Sequence, residues 1–151
     1  MKIGIISSPG GHIFQLIQIM PILKKFDRFW ITKNEIDTKY YLKKEKIYYA
    51  FFPESRNFIN LIKNTFLAFK ILKKEKPKIL ISSGAGIAIP FFIVGKIFFK
   101  TKLVFIEPYD FVAYPSLTGK ILYNLVDLFI IQNKIQKKWY KKAILLENLI
   151  F

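Results

Sequence analysis

The stretch IGIISSPGGHIFQLIQIMPILKKF, Ile3 to Phe26, carries the pattern that decides the fold. The apolar run Ile3-Gly4-Ile5-Ile6 has the length of a buried strand. Ser7-Ser8-Pro9-Gly10-Gly11 is turn chemistry, and from Ile13 onward the apolar spacing becomes helical. A strand that gives way to a helix through a glycine pair permits two readings. Gly10 and Gly11 supply backbone angles that other residues avoid. Alternatively, their bare amides and the helix N-terminus face an anion, with His12, the single histidine of the chain, beside it. The stretch alone leaves both open.

The same alternation repeats along the chain. Strand-like runs fall at 2–7, 28–32, 47–51, 78–82, 102–106 and 128–131, with a short last one at 143–146. Helical patterns fill the intervals 13–25, 36–44, 57–74, 86–99, 116–125 and 134–141. This order predicts an α/β fold: a doubly wound, mainly parallel, Rossmann-like sheet with helices on both faces. Strands such as KILIS and KLVFIE lack polar alternation because such sheets are buried on both sides. No repeat, linker or composition shift divides the 151 residues, so 1–151 reads as a single domain.

Composition narrows the chemistry. With no cysteine and one histidine, disulfides, thiolate metal sites and histidine metal clusters are excluded, and no metal or cofactor is called for. Lys and Arg number 25 against 10 Asp and Glu, a formal charge of +15, yet 52% of residues are hydrophobic and 17% aromatic. A chain both apolar and basic points to an anionic surface, a membrane or a nucleic acid. The N-terminus reaches turn residues too early for a secretory signal, and the longest uncharged run, 79–95, is broken by serines, glycines and Pro90. A cytoplasmic protein with peripheral membrane contact is expected.

In a doubly wound sheet ligands bind beyond the carboxyl ends of the strands. The segments there are SSPGGH, SSGAG and EPYDFVAYPSLTG. They nominate Ser8, Gly10, Gly11, Ser83, Gly84, Gly86, Asp110, Ser116, Thr118 and Gly119 for ligand or phosphate binding. The plainer reading makes the glycines turns and Ser116 or Thr118 a helix cap. The dinucleotide fingerprint fails after the first strand, and Lys33 stands where an acidic ribose ligand belongs; no phosphate-loop GxxxxGK[ST] occurs either.

The helical pattern 57–74 has two apolar faces. Phe58, Ile62, Phe66, Phe69 and Leu72 recur at helical spacing and read as the core stripe. Leu67 and Ile71 then lie on the far side among Lys63, Lys70 and Lys74, a composition that suits a helix dipping into a lipid interface.

Taken together, SSPGGH, DRFWIT, FFPESRNFINLIKN, KEKPKILISSGAGIAIPFFIVGK, VFIEPYDFVAYPSLTGKILY and DLFIIQ resemble the PssD/CpsF-like subunits of bacterial polysaccharide synthesis. Those subunits are similar to the anchor subunit of the two-subunit N-glycan GlcNAc transferase of eukaryotes. More distantly the chain resembles the N-terminal half of MurG. The resemblance implies half of a GT-B glycosyltransferase, with a partner chain supplying the UDP-sugar-binding C-terminal half. The acceptor it implies is a polyprenyl-diphosphate-linked sugar at the cytoplasmic membrane face. The chain departs from the family pattern at Asn133, where tryptophan is usual, and at Glu147 and Asn148, where glycines are usual.

On that footing His12 and Glu107 are the candidate catalytic residues. Either serves as base toward the attacking hydroxyl, and Asp110 is a third candidate. His12 is favoured as base or phosphate ligand, with Glu107 orienting. The alternative from another class is a basic nucleic-acid-binding module without activity; against it, no recognised motif is present and the lysines spread over many helices.

Overall fold

The computed structural model describes residues 1–54 and 56–146. Glu147 and Asn148 therefore lie outside the described residues. Seven strands form one sheet: β1 (Lys2–Ile6), β2 (Asp27–Thr32), β3 (Ile47–Tyr49), β4 (Ile79–Ser83), β5 (Lys102–Ile106), β6 (Leu128–Ile131) and β7 (Ile144–Leu145). Every pairing is parallel and the spatial order is β3-β2-β1-β4-β5-β6-β7. The chain builds outward from β1 to β3, then returns to place β4 against β1. The topological switch point thus lies between β1 and β4, and a crevice opens beyond their carboxyl ends.

The helices are α1 (Gly11–Gln18), α2 (Met20–Leu23), α3 (Ile36–Tyr41), α4 (Phe58–Glu75), α5 (Ala88–Phe99) and α6 (Leu117–Leu122). The single helix expected over 13–25 is two, because Pro21 begins a new turn where its missing N–H is harmless. The helix expected at 134–141 is a 3₁₀ turn, Lys134–Lys138, started by the Asn133 side chain accepting from the Ile135 amide at 2.9 Å.

Alternate residues of each strand enter two separate cores. Ile6, Phe29, Leu80, Leu103 and Phe105 face α4, α5 and α6. Ile3, Ile5, Trp30, Ile81, Ile106 and Ile130 face α1 and α2. Burial on both sheet faces is what the unalternating apolar runs require.

The orientation of α4 corrects the sequence reading. Its buried face is Asn60, Asn64, Ala68, Ile71, Leu72 and Glu75, with Ile71 only 2% exposed. Phe58, Ile62, Phe66 and Phe69 are exposed, Phe66 at 74%. The expected core stripe points outward, apart from Leu72. Ile71 is core, and Leu67 packs half-buried against it. The cause is that the inner face carries polar groups with specific partners. Asn64 accepts from the Phe51 amide and donates to the Phe51 carbonyl, both at 2.9 Å, completing the backbone pairing of the edge segment after β3. Buried Glu75 accepts from Lys2 at 3.0 Å, Lys46 at 2.7 Å and Tyr48 at 2.5 Å. Burial opposes its ionisation, yet these donors hold its pKa at about 2.

A candidate active site at the switch point of the sheet

The loops after β1 and β4 meet in the crevice. Gly10 precedes α1 with φ 78°, a left-handed backbone that turns the chain sharply from strand to helix. This places His12 in the first turn, leaning over the β4–α5 loop. Gly84, at φ 72°, lies beneath it; a β-carbon there would stand 2.5 Å from His12 Cε1 and closer still to Pro108 Cγ. Glycine is required at 84 by both backbone angle and space. The imidazole is half-buried and hydrogen-bonds the Ser83 backbone. Burial lowers its pKa below the usual 6.5, opposed by the carboxylates of Glu54 and Asp110. A neutral imidazole with one ring nitrogen engaged retains the other as an acceptor at neutral pH.

Several nominated residues are committed within the protein. Ser8 Oγ donates to Glu54 Oε1 at 2.5 Å, and Ser83 Oγ donates to Gln15 Oε1 at 2.5 Å. Both serines are buried and hold the loops together. The Gly10 amide donates to Asp37 Oδ2 at 2.9 Å, so an internal carboxylate takes the position expected for a phosphate. The Ile87 amide, just ahead of α5, is likewise taken by Glu54 Oε2 at 2.9 Å. Loop amides at helix starts do attract negative charge here, but the chain supplies it. Gly11 and Asp110 are exposed, while Gly84, beside His12, and Gly86, beside Glu54, are partly open.

Glu107, read as an alternative base or an orienting residue, is enclosed by the protein. It is 0% exposed, and its carboxylate accepts from the Ser116 amide at 2.7 Å, the Ser116 hydroxyl at 2.9 Å and the Tyr140 hydroxyl at 3.1 Å. Gly119 packs so tightly on it that a β-carbon would collide with Glu107 Oε2 and the Tyr140 hydroxyl. Burial pushes the Glu107 carboxyl up, against the pull of these donors. Glu107 therefore anchors the segment carrying Asp110. Ser116 also caps α6, accepting from the Gly119 amide at 2.9 Å, and Thr118 and Gly119 are buried. Ser116 thus makes the cap that the plainer reading of SLTG expects.

Glu54 escaped the sequence reading. It lies in the irregular segment between β3 and α4, outside any periodic pattern, and its partners are 46 and 33 residues away. Among the described residues no group of three or more His, Asp or Glu side chains is placed to hold a metal.

Lys63, Lys70 and Lys74 are exposed on α4. They border an open apolar face of Phe58, Ile59, Ile62, Phe66 and Phe69, which α5 extends through Phe98, 5.5 Å from Phe69 between ring centroids. Among the described residues no helix is long and apolar enough to cross a membrane.

A seven-stranded parallel sheet with a Gly-Gly-His loop over a glycine-rich loop at its switch point defines a Rossmann-like domain of the kind forming the N-terminal half of GT-B proteins. The fold superposes on MurG of Acinetobacter baumannii with a TM-score of 0.74 at 16% identity, covering 89% of this chain and 42% of that one. The chain belongs to the family described as "Oligosaccharide biosynthesis protein Alg14 like", which matches residues 3–149. It is 27% identical to the UDP-N-acetylglucosamine–N-acetylmuramyl-(pentapeptide) pyrophosphoryl-undecaprenol N-acetylglucosamine transferase of Borreliella burgdorferi, over 94% of this chain and 42% of the relative. To the human UDP-N-acetylglucosamine transferase subunit ALG14 it is 21% identical, over 99% of this chain and 83% of that subunit. The chain thus spans about two-fifths of the bacterial transferase.

Proposed function

We propose that this domain is the acceptor-side half of a two-component glycosyltransferase. It binds a polyprenyl-diphosphate-linked sugar at the cytoplasmic membrane face, and a second chain supplies the UDP-sugar-binding half. The observation that carries the reading is the His12 imidazole, held over Gly84 in the switch-point crevice with its pKa lowered by burial. The names of the relatives and the share of their length that this chain spans support the sugar-transfer class and the need for a second half.

In the proposed reaction the free ring nitrogen of His12 takes the proton of the acceptor hydroxyl. That oxygen bonds to the anomeric carbon of the donor as the bond to UDP breaks, with inversion. Glu107 acts through Ser116, fixing the segment that places Asp110 beside the imidazole. The open face of α4 is assigned to the membrane in this reading. Phe58, Ile62, Phe66 and Phe69 enter the lipid interface, while Lys63, Lys70 and Lys74 are drawn to anionic head groups.

The experiment is reconstitution. UDP-sugar and lipid-linked acceptor are supplied to this chain alone, to the partner alone and to both. Transfer only by the pair is the expected result; turnover by the single chain overturns the two-component reading.

A further inference from the structure

Glu54 sits where three segments converge. Its own segment is fixed from α4: Asn60 Nδ2 donates to the Pro53 carbonyl at 3.0 Å, and Asn64 pairs with the Phe51 backbone. Its carboxylate then spans two loops. Oε1 accepts from Ser8 Oγ in the β1–α1 loop, and Oε2 accepts from the Ile87 amide at the end of the β4–α5 loop. The Glu54 side chain lies against Gly86, where a β-carbon would stand 3.4 Å from Glu54 Cγ, an ordinary contact distance. Ser8 stands four residues before His12, and Ile87 three after the glycine on which His12 rests.

We propose that Glu54 is a positioning residue of the site: it ties the loop that carries His12 to the loop on which His12 lies. This inference rests on the sugar-transfer reading only for its catalytic consequence. A carboxylate suits the task because it accepts two hydrogen bonds on separate oxygens, and negative charge is favoured ahead of a helix N-terminus. Both bonds hold the site without engaging the His12 ring. The carboxylates acting on His12 are Glu54, from the β3–α4 segment, and Asp110, from the segment after β5. Removing the charge of Glu54 also makes the imidazole easier to deprotonate.

The single histidine permits a direct test, because the imidazole resonances of the whole chain report His12 alone. Glu54→Gln keeps the clamp: its carbonyl accepts from Ile87 and its amide donates to the Ser8 hydroxyl. Glu54→Ala removes it. In NMR titrations of the isolated chain, the His12 midpoint should move to lower pH in both variants. In Glu54→Ala the resonances should also shift at a fixed protonation state. With the partner chain, a UDP-sugar and a lipid-linked acceptor, Glu54→Ala should lose about tenfold or more in kcat, since misplacement of about 1 Å costs up to about 10²-fold. Glu54→Gln should retain most activity at high pH, with its acid limb displaced to lower pH. Titrations and rate profiles matching the wild type in both variants overturn the proposal. If Glu54→Ala fails to fold, Ser8→Ala decides: it removes one arm of the clamp and keeps the Glu54 charge, so the His12 resonances should shift at a fixed protonation state, and unchanged resonances overturn the proposal. If the wild-type pair shows no transfer, the sugar-transfer reading fails, and the His12 resonance positions at a fixed protonation state still judge the clamp.

Discussion

The His12 ring lies over the α-carbon of Gly84 so closely that a β-carbon at 84 would stand 2.5 Å from His12 Cε1. One residue comes from the first turn of α1 and the other from the loop after β4, and their contact crosses the switch point of the sheet.

Gly84→Ala is therefore expected to disturb both stability and the site. The added methyl meets the imidazole and Pro108, and the φ of 72° disfavours any side chain. A loss of about 2 kcal/mol or more is expected in urea unfolding, with altered His12 resonances. An unchanged unfolding midpoint would show that the loop relaxes freely.

If the proposed two-chain transferase is reconstituted, His12→Ala should lower its transfer by about 10²-fold, the usual scale for a general base. Burial lowers the imidazole pKa, so the neutral base persists to more acidic pH than for a free histidine. The acid limb of the rate profile should accordingly lie below pH 6.5, the ordinary histidine value. A limb above that value, or near-normal turnover by the variant, argues against His12 as the base.

The buried Glu75 cluster predicts a stability effect far from the site. Its folded pKa, about 2, lies below the ordinary value of 4.5. Its contribution is therefore complete above pH 4.5 and disappears as the pH falls through about 2. Glu75→Gln should cost about 3 kcal/mol at pH 7, because Lys2 and Lys46 lose their shared partner. The difference from wild type should narrow in denaturant titrations at low pH. A constant difference across pH would mean that packing, not charge, carries the effect.

Opposite faces of α4 should respond differently. Phe58→Ser with Phe66→Ser should weaken binding to phosphatidylglycerol vesicles while leaving the melting temperature unchanged, since both rings are exposed. Ile71→Ala should lower stability by about 2–5 kcal/mol, as expected for a buried isoleucine. Flotation of the double variant equal to wild type would place the membrane contact elsewhere.

Much of the architecture is legible in the amino-acid order. Parallel strands buried on both faces require unbroken apolar runs, and these located all seven strands to within a residue or two. The Gly-Gly-His turn and the glycine-rich loop were visible because positive φ and close approach leave a compositional trace. Ser116 was legible as a cap for the same local reason.

The facing of α4 was not legible. Helical periodicity shows that an apolar stripe exists, whereas the side turned inward depends on partners. Asn64 is inside because an edge-strand backbone needs its amide, and Glu75 because Lys2, Lys46 and Tyr48 converge on it. Glu107 reads from sequence only as a candidate base or orienting acid; that Ser116 and Tyr140 close over it appears only in the fold. Local propensity and pattern act over a few residues and so determined the elements and their order. Burial of the Glu75 charge depends on Lys2, 73 residues away, and the placement of Glu54 depends on a Ser8 hydroxyl 46 residues away. Only the closed tertiary structure brings such groups within hydrogen-bonding distance, and it alone decided which side chains line the site and which support it.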